Sequence, residues 1–432
     1  MKGSLRPTRS VLFDASRLLS RMDRSAPTGV DRVCLAYAEW LLSLPDVHVT
    51  PVRGRQEQLV AVDPAWFRRC VGTLRSRWTG AVQERSLTPE EAQLMAALNG
   101  DAKMNRSVIS EPPAAPQKTA DRRARVWRQM FRSKWVEKLP ESEFYFNVGH
   151  TGLNDPRSLQ MLKGRGVDRI VLLNDLIPIT HPEFCRPGDG DKHRERVLNA
   201  LRYASHILVI SQYTADELAA FAKREGVTPP PISAIHLGLE PTFLIRPPRP
   251  APRPYFVHVG TIEARKNLAF LLTIWRRLQE KMGDDAPQLV LVGRYGWENE
   301  AVLDHLERSP PLQGLVHQCS DLPDSMLSAL MTNARALLAP SSVEGFDLPS
   351  VEASALGVPL IASDIPAHRE LVPDALLIDP LDGIGWLDAL EQATRHPSTA
   401  PPYDAPTWDD HFAEVARCVG ISRRAEVFDD KT

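Results

Sequence analysis

Short apolar runs alternate with segments of helical periodicity throughout the second half of the chain. The runs Tyr255–Val259 and Gln288–Val292 predict buried strands, and the segment Asn267–Lys281 between them carries apolar residues at helical spacing. Strands that alternate with helices in this way are typical of a parallel sheet covered by helices. The pattern continues through a predicted helix, strand and helix at Ala301–Glu307, Leu315–Cys319 and Asp324–Thr332.

The first half shows the same alternation with one long interruption. Apolar runs predict strands at Ser10–Phe13, Phe144–Val148, Arg169–Asn174 and Ile207–Ile210, and helical spacing predicts helices at Val30–Leu44 and Arg194–Tyr203. Residues 51–140 fit neither pattern, since they hold scattered charge and a Pro-rich piece. We interpret them as an irregular, partly flexible insertion with some helix.

A run of prolines at Pro247–Pro254 separates the two halves, because such a run cannot continue a helix or a central strand. We predict a Rossmann-like N-terminal domain over residues 1–245, a linker over 246–254 and a doubly wound C-terminal domain over 255–395. A tail over 396–432 carries a predicted helix from Thr407 to Val419.

The composition is that of an ordinary globular protein, with 43% hydrophobic and 25% charged residues among 432. A net charge of −2 gives no field that would draw the chain to nucleic acid. The five cysteines are dispersed without a C-x-x-C pair, which argues against a disulfide framework and a zinc site and favours a reducing cytoplasm. We see no signal peptide and no apolar run of about 18 residues, so we expect a cytoplasmic protein.

The segment from Arg335 to Asp364 concentrates the candidate chemistry. Its pattern predicts strand, loop, helix and strand, with Glu344 in the loop and Glu352 in the first turn of a helix that Pro349 opens. The carboxyl ends of parallel strands form a ligand crevice, and a helix N-terminus there offers N–H groups to an anion. The segment therefore indicates a phosphate seat with two carboxylates for sugar hydroxyls. The alternative is a βαβ unit with two surface glutamates.

This segment resembles the E-x7-E region of retaining glycosyltransferases of family 4, which have the GT-B fold. The resemblance is carried by Pro340-Ser341, Glu344-Gly345-Phe346, Leu348-Pro349, Glu352-Ala353, Gly357-Val358-Pro359 and Ser363-Asp364-Ile365-Pro366. It implies an α/β fold of two Rossmann-like doubly wound domains that face each other across a cleft, with a C-terminal helix that crosses back to the first domain. It also implies that Glu344 is catalytic beside the transferred sugar and that Glu352 binds the ribose hydroxyls of a nucleotide. The remaining donor-binding positions in the segment are then Gly345, Phe346, Asp347 and Leu348.

A second loop, Gly260 to Asn267, follows a predicted strand and precedes a helix. Gly260 frees the turn, and Arg265 and Lys266 place positive charge at the mouth of the crevice. The alternative is a basic helix start, which the helix dipole disfavours. The loop resembles the donor-phosphate loop of the family. Many members have Arg directly after the first Gly; this chain has Thr261 there, so the cationic role falls on Arg265 and Lys266.

The ends of the next two predicted strands carry Gly293 and Asp321-Leu322. By the same resemblance, the nucleotide base lies near these positions. The resemblance therefore implies that the donor site includes these two strand ends.

Loops of the N-terminal domain are predicted to reach one shared edge of its sheet. Thr28-Gly29 closes the first loop and resembles the small-residue loop that family members place against the donor phosphates. His150 lies between glycines at a strand end, and we expect it in the site. Asp175 follows Asn174 in a segment that resembles H-D-x-x-P, with Asn in the His position, and as a catalytic-site candidate it either binds a hydroxyl group or braces the loop. Ser211 opens a fourth loop and can cap a helix.

A basic segment from Lys118 to Lys138 holds eight positive and two negative residues, with aromatic residues at near-helical spacing. Such a helix suits an anionic membrane surface. An insertion helix packed on its own domain, with solvated charges, explains the pattern equally well.

The sequence predicts a retaining glycosyltransferase that moves a hexose, with mannose favoured, from a nucleotide-diphosphate sugar to a saccharide acceptor. Asp14–Arg17, Thr28–Val30 and Asp175–Pro178 resemble a bacterial surface-polysaccharide subgroup, which favours a GDP-linked over a UDP-linked donor and a lipid-linked oligosaccharide acceptor at the inner face of the plasma membrane. Asp189-Gly190-Asp191 spells D-x-D in a predicted loop away from the diphosphate seat, so we expect neither metal nor cofactor. The alternatives are a GT-B epimerase or hydrolase and a non-catalytic sugar-nucleotide-binding protein.

Overall fold

The computed structural model describes residues 9–24, 26–55, 58–79, 88–98, 135–136, 139–244 and 254–421. The basic segment at 118–138 lies outside the described residues except for two strand residues, and the proline run lies outside them except for Pro254. The five cysteines are free. Within the described ranges, no helix combines the length and the apolar character needed to cross a bilayer.

Two sheets, one in each half of the chain, organise the fold. The first is built from eight strands, in chain order β1 (Arg9–Asp14), β2 (Val47–Arg55), β3 (Gln58–Val62), β4 (Trp135–Val136), β5 (Phe144–Asn147), β6 (Asp168–Leu173), β7 (His206–Val209) and β8 (Ile232–Ala234). The second is built from six strands, β9 (Tyr255–Val259), β10 (Gln288–Val292), β11 (Val316–Cys319), β12 (Leu337–Ala339), β13 (Leu360–Ser363) and β14 (Leu376–Ile378).

Helices cover these sheets. Those of the first half are α1 (Ser16–Ser20), α2 (Gly29–Ser43), α3 (Pro64–Trp78), α4 (Pro89–Leu98), α5 (Arg157–Gly164), α6 (Ile177–Thr180), α7 (Asp189–Tyr203) and α8 (Gln212–Arg224). Those of the second half are α9 (Leu268–Met282), α10 (Glu300–Arg308), α11 (Asp324–Asn333), α12 (Leu348–Ala355), α13 (Pro366–Leu371), α14 (Gly383–Arg395) and α15 (Trp408–Val419).

The C-terminal sheet is wholly parallel, with strand order β11-β10-β9-β12-β13-β14. The order reverses between β9 and β12, and ligands of such sheets bind outside the carboxyl ends of the strands at this switch point. The two loops that the sequence marks as chemical, Gly260–Asn267 and Pro340–Asp347, follow β9 and β12. The topology therefore brings them together.

The N-terminal sheet has the order β4-β3-β2-β1-β5-β6-β7-β8 and is parallel except at one end. There β3 pairs antiparallel with both β2 and β4. Strands β3 and β4, with α3 and α4, lie within residues 51–140, so the described parts of that region are more regular than the sequence indicated. Buried Phe67, Leu74 and Leu94 pack α3 and α4 against the main core, and this packing stabilises the two helices.

The final helix, α15, packs on the N-terminal domain, as the fold prediction required. Phe412 stacks on Trp40 of α2 with ring centroids 4.6 Å apart, and His411 Nε2 lies 3.0 Å from the hydroxyl of Tyr37. Aromatic pairs of this kind add to the free energy gained by burial. The chain thus forms two α/β domains that its last helix ties together.

The D-x-D triplet is not in a loop, contrary to the prediction. Asp189 and Asp191 lie in the first turn of α7, where the helix dipole favours acidic side chains. Gly188, at φ 83°, supplies the left-handed turn before the helix. Among the residues that the structure describes, no cluster of three or more His, Cys, Asp or Glu has the arrangement of a metal site.

Candidate active site

A buried network of ion pairs fills the switch point of the C-terminal sheet. Arg265 pairs with Glu344 and, through Nε at 2.5 Å, with Glu263. Lys266 Nζ lies 2.5 Å from Glu344 Oε1 and 3.2 Å from Asp347 Oδ1. The two loops are also joined by their backbones, since the Ser342 amide donates to the Arg265 carbonyl at 2.8 Å. We call these five side chains the charged cluster.

Burial makes each charge in the cluster dependent on its partners, because an isolated charge away from water is strongly disfavoured. Glu344 is 5% exposed and Lys266 is 4% exposed. Burial opposes the ionisation of Glu344, but the charges of Arg265 and Lys266 outweigh it and hold the pKa of that carboxyl below its usual value. Burial likewise opposes the charged form of Lys266, and Asp347 and Glu344 raise its pKa. Both groups are therefore ionised at neutral pH.

Asp347 completes the cluster at the N-terminus of α12. Its backbone is left-handed, with φ 70°, and its carboxylate accepts a hydrogen bond from Ser350 Oγ. Pro349 occupies the first turn, as predicted, where its missing N–H costs nothing. The amides at this helix end lie beside the cations, which combines two features that attract an anion.

Glu352 lies beyond the first turn of α12, contrary to the prediction, because the helix already begins at Leu348. The side chain is buried, 4% exposed, and its surroundings differ from those of Glu344. Burial raises the pKa of this carboxyl to about 7, with the Arg32 charge acting in the opposite direction. Arg32 comes from α2 of the N-terminal domain and makes a bidentate pair with Asp324 across the cleft, at 2.7 and 2.6 Å. Neither predicted glutamate is on the surface, so the alternative of two solvent-exposed carboxylates is excluded.

The N-terminal domain closes directly over the loop that carries Glu344. A Cβ at Gly345 would lie 2.6 Å from the Asn174 carbonyl oxygen and 2.9 Å from Asp175 Cβ, so only glycine fits there. Ser211 Oγ donates to the Gly345 carbonyl at 2.8 Å. The adjacent Phe346 is buried, with its ring 5.9 Å from that of His236.

Thr28 and Gly29 also reach this interface. Thr28 begins α2 in a reciprocal capping box with Asp31, while a Cβ at Gly29 would meet the Leu348 side chain at 3.5 Å. The predicted positions Thr28, Gly29, Ser211, Gly345 and Leu348 therefore lie along one seam between the domains.

His150 lies at the end of β5 in a left-handed conformation, φ 60°, and its Nε2 is buried without a partner. Burial, with smaller contributions from His193 and Arg196, lowers the pKa of the ring to about 3. The ring is therefore neutral at physiological pH, which suits a hydrogen-bonding role better than proton transfer. Asp175 Oδ1 accepts from the Ile177 amide at 3.1 Å, which braces the turn that leads into α6.

The predicted base-side positions are close to the phosphate loop. A Cβ at Gly293 would collide with the Gly260 carbonyl oxygen, and the nearby Gly296 has space for no more than a hydrogen beside Thr261 Cγ2. Asp321, at φ 63°, pairs with Arg294, whose Nε lies 2.7 Å from Oδ1. The Leu322 side chain packs in the core, so it offers only its backbone to a ligand.

The sequence interpretation missed several charged residues. Glu263, Arg32 and Asp324 gave no signal, because their roles depend on contacts between distant segments. His368 lies two residues beyond the matched motif that ends at Pro366, and its Nε2 is 3.2 Å from Asp347 Oδ2. Glu370 accepts from the Gln212 and Tyr213 amides of the other domain at 2.7 and 2.9 Å.

Part of the chain is similar in sequence to known glycosyltransferases. Residues 253–396 match the family model described as glycosyl transferases group 1, which spans the charged cluster and both glutamates. The chain is 30% identical over 222 residues to O-antigen chain mannosyltransferase B of Escherichia coli, a match of 49% of this chain and 58% of that protein. It is 28% identical over 225 residues to O-antigen chain mannosyltransferase RfbU of Salmonella typhimurium, covering 51% of this chain and 60% of that one. The chain thus covers less than two thirds of either relative.

Solved structures share the whole architecture. Anabaena HepE in complex with UDP-glucose superposes with a TM-score of 0.57 at 13% identity, over 96% of this chain and 100% of that one. Sucrose-phosphate synthase from Thermosynechococcus elongatus superposes with a TM-score of 0.54 at 14% identity, over 95% and 93%. These likenesses show the fold, which is GT-B: two parallel-sheet α/β domains that face each other across a cleft.

Proposed function

We propose that this chain is a retaining glycosyltransferase that transfers a hexose from a nucleotide-diphosphate sugar to a saccharide acceptor. The observation that carries the proposal is the placement of Glu344 at 5% exposure, paired with Arg265 and Lys266, at the switch point and against the N-terminal domain. The group 1 match and the mannosyltransferase relatives support it.

The donor diphosphate lies between the Arg265-Lys266 turn and the amides that begin α12. Both cations already have carboxylate partners, so the diphosphate shares them with Glu263, Glu344 and Asp347. Fixed cations stabilise the negative charge that grows on a departing diphosphate. We propose that this arrangement serves in place of a divalent metal.

Transfer proceeds on one face of the sugar. The bond from the anomeric carbon to the diphosphate oxygen breaks with its electron pair, and the acceptor oxygen bonds to that carbon from the same side. The acceptor hydroxyl proton moves to the departing phosphate oxygen. Glu344 stabilises the positive charge that develops on the sugar. On the other domain, the neutral ring of His150 and the side chain of Asp175 hold hydroxyl groups.

We favour a GDP-mannose-like donor and a lipid-linked oligosaccharide acceptor, in surface polysaccharide synthesis. The printed activities of the two O-antigen relatives support the sugar and the pathway class. The structural relative bound to UDP-glucose keeps a UDP-linked donor as the second candidate. Association with an anionic membrane through residues 118–138 is part of the same proposal.

Calorimetry against GDP, UDP and ADP tests the donor site, and incubation with GDP-mannose or UDP-glucose and saccharide acceptors tests transfer. We expect GDP to bind most tightly and NMR of the product to show a retained anomeric configuration. Nucleotide release without sugar transfer, across many acceptors, would replace this proposal with an epimerase or hydrolase. The absence of nucleotide binding would contradict it entirely.

A matched pair of lysine variants localises the donor. Lys266→Ala removes a 5% exposed side chain of the charged cluster. Lys281→Ala removes a half-exposed side chain of the same domain that pairs with Glu391 on the surface. We expect nucleotide affinity to fall about tenfold or more in the first variant and to stay unchanged in the second. Equal affinities would remove the phosphate role of Lys266.

A further inference from the structure

His368 has two hydrogen-bond partners that can only accept. It lies in α13, fully buried, with Nδ1 2.7 Å from the Ser363 carbonyl oxygen and Nε2 3.2 Å from Asp347 Oδ2. A carbonyl oxygen and an ionised carboxylate have no proton to donate. A neutral imidazole carries one N–H and can satisfy only one of them. The ring satisfies both when each nitrogen carries a proton, which makes it an imidazolium.

Asp347 accepts from His368 in this way only when it is ionised, and its other contacts support the ionised form. Lys266 Nζ lies 3.2 Å from Oδ1, and the Ser350 hydroxyl donates to Oδ2. Burial opposes the ionisation of Asp347, but Lys266 and His368 outweigh it and hold the pKa of that carboxyl well below its usual range. The hydrogen-bonding partners of this carboxylate are thus Lys266, Ser350 and His368.

Two other buried histidines show what burial does without a carboxylate. His258 Nδ1 lies 2.8 Å from the Leu338 carbonyl oxygen, and its Nε2 has no partner. His411 Nδ1 lies 2.8 Å from the His236 carbonyl oxygen, and its Nε2 faces the Tyr37 hydroxyl, which can donate. Burial lowers the pKa of both rings to about 4, and the Lys266 charge adds to this effect at His258. For His368, burial acts in the same direction, but Asp347 reverses it and raises the pKa.

The extra proton decides the net charge of the site. The charged cluster holds two cations, Arg265 and Lys266, against three carboxylates, Glu263, Glu344 and Asp347. With all three carboxylates ionised, the sum is −1 without His368, which would oppose a diphosphate, and zero with an imidazolium. Burial raises the pKa of Glu263, and the charges of Arg265 and Lys266 act against that rise. His258, the other titratable group beside Lys266, is neutral and changes nothing.

We propose that His368 is a charged positioning residue of the donor site, the third cation that balances Asp347 and so leaves Lys266 available to a diphosphate. It does not touch the donor; it acts through Asp347. The proposal deepens the proposed function and rests on it for the identity of the ligand. The protonation of the ring stands independently, because the two acceptors are present without any ligand.

Nitrogen-15 NMR of the histidine side chains in the full-length protein tests the protonation directly. We expect both ring nitrogens of His368 to carry protons near neutral pH, while His258 and His411 show one protonated nitrogen each. His368→Gln assigns the resonance, and His411→Gln serves as the matched buried control. A neutral His368 ring at pH 7 would overturn the inference and leave the proposed function in place.

Calorimetry with GDP and UDP then tests the role. The raised pKa means that the charged ring persists above the usual pH, so its support for binding is lost as pH rises through that raised value. We expect His368→Gln to weaken nucleotide binding about tenfold near pH 7, equivalent to about 1.4 kcal/mol, and to abolish that alkaline loss. Wild-type affinity in His368→Gln, with His411→Gln also unchanged, would overturn the positioning role. If wild-type protein binds no nucleotide, the proposed function fails, while the NMR result still decides the state of the ring.

Discussion

The two sheet edges that meet at the cleft differ in the number of buried charged side chains that they carry near Gly345. The C-terminal edge buries full charges in a closed network, with Glu344 and Lys266 held by each other and by their neighbours. Apart from the Arg17–Asp31 ion pair at the start of α2, the N-terminal edge presents His150, whose ring burial keeps neutral, and it sets the Asn174 carbonyl and the Asp175 side chain against Gly345. Fixed charges suit an anionic ligand, and neutral polar groups suit sugar hydroxyls. The asymmetry therefore fits a donor on one domain and an acceptor on the other.

Among the changes at the two edges, we expect removal of the Glu344 charge to have the largest effect on the transfer rate. Glu344→Gln keeps the shape but cannot stabilise a developing positive charge, so we expect the transfer rate to fall about 10²–10³-fold with nucleotide affinity largely retained. Initial rates at saturating donor, with calorimetry on the same sample, measure both. Glu263→Gln is the matched control, because it also loses a carboxylate partner of Arg265. We expect a smaller loss there, and equal losses would mean that only the balance of charge matters.

Glu352 should reveal a conflict between stability and binding. Its pKa is raised to about 7, so the folded state holds this proton more tightly than the unfolded state, and stability falls as pH rises from about 4.5 to about 7. Glu352→Gln removes that penalty of about 3 kcal/mol, and we expect a higher unfolding temperature at pH 8 with little change near pH 5.

Nucleotide affinity should move the other way in Glu352→Gln, because the amide offers one acceptor oxygen to the ribose instead of two. Thermal unfolding at both pH values and calorimetry with GDP check the pair of effects. Tighter nucleotide binding in the variant would remove Glu352 from the donor site.

The smallest effect is expected on the neutral edge. His150→Gln keeps a hydrogen-bonding group, so we expect at most about a tenfold loss in kcat/KM for the acceptor, with donor affinity unchanged. Because the pKa of His150 is lowered to about 3, its replacement should leave the pH profile of the reaction unaltered between about pH 5 and 8. Loss of one limb of that profile would show that His150 transfers a proton after all.

The central strands were predictable because buried parallel strands form short, nearly continuous apolar runs. Tyr255–Val259 and Gln288–Val292 have the predicted bounds. Short or peripheral strands such as β4, β8 and β14 were missed, since two to three residues carry no periodicity. The loop prediction for Asp189–Asp191 failed because a left-handed Gly188 can start a helix as readily as it can continue a loop.

The site was predictable as a list of positions and not as a set of pairings. Glu344 and Lys266 could be placed at neighbouring strand ends from the alternation of strands and helices. The partners could not, since Arg265 and Glu344 are 79 residues apart and Arg32 and Asp324 are 292 apart. Such residues come together only in the folded chain. The charge state of His368 depends on contacts of the same kind.

The helix α8 begins with a carboxylate that belongs to the other domain. Glu370 takes both the Gln212 and the Tyr213 amides, and His236 Nε2 lies 2.8 Å from the same carboxylate. The first amides of a helix are normally capped by a side chain from the same segment. Here Ser211 Oγ accepts from only one of them, the Thr214 amide. Any widening of the cleft exposes the Gln212 and Tyr213 amides to water. It also leaves the Glu370 carboxylate without these two donors. The separation of the two domains is therefore coupled to the hydration of the first turn of α8.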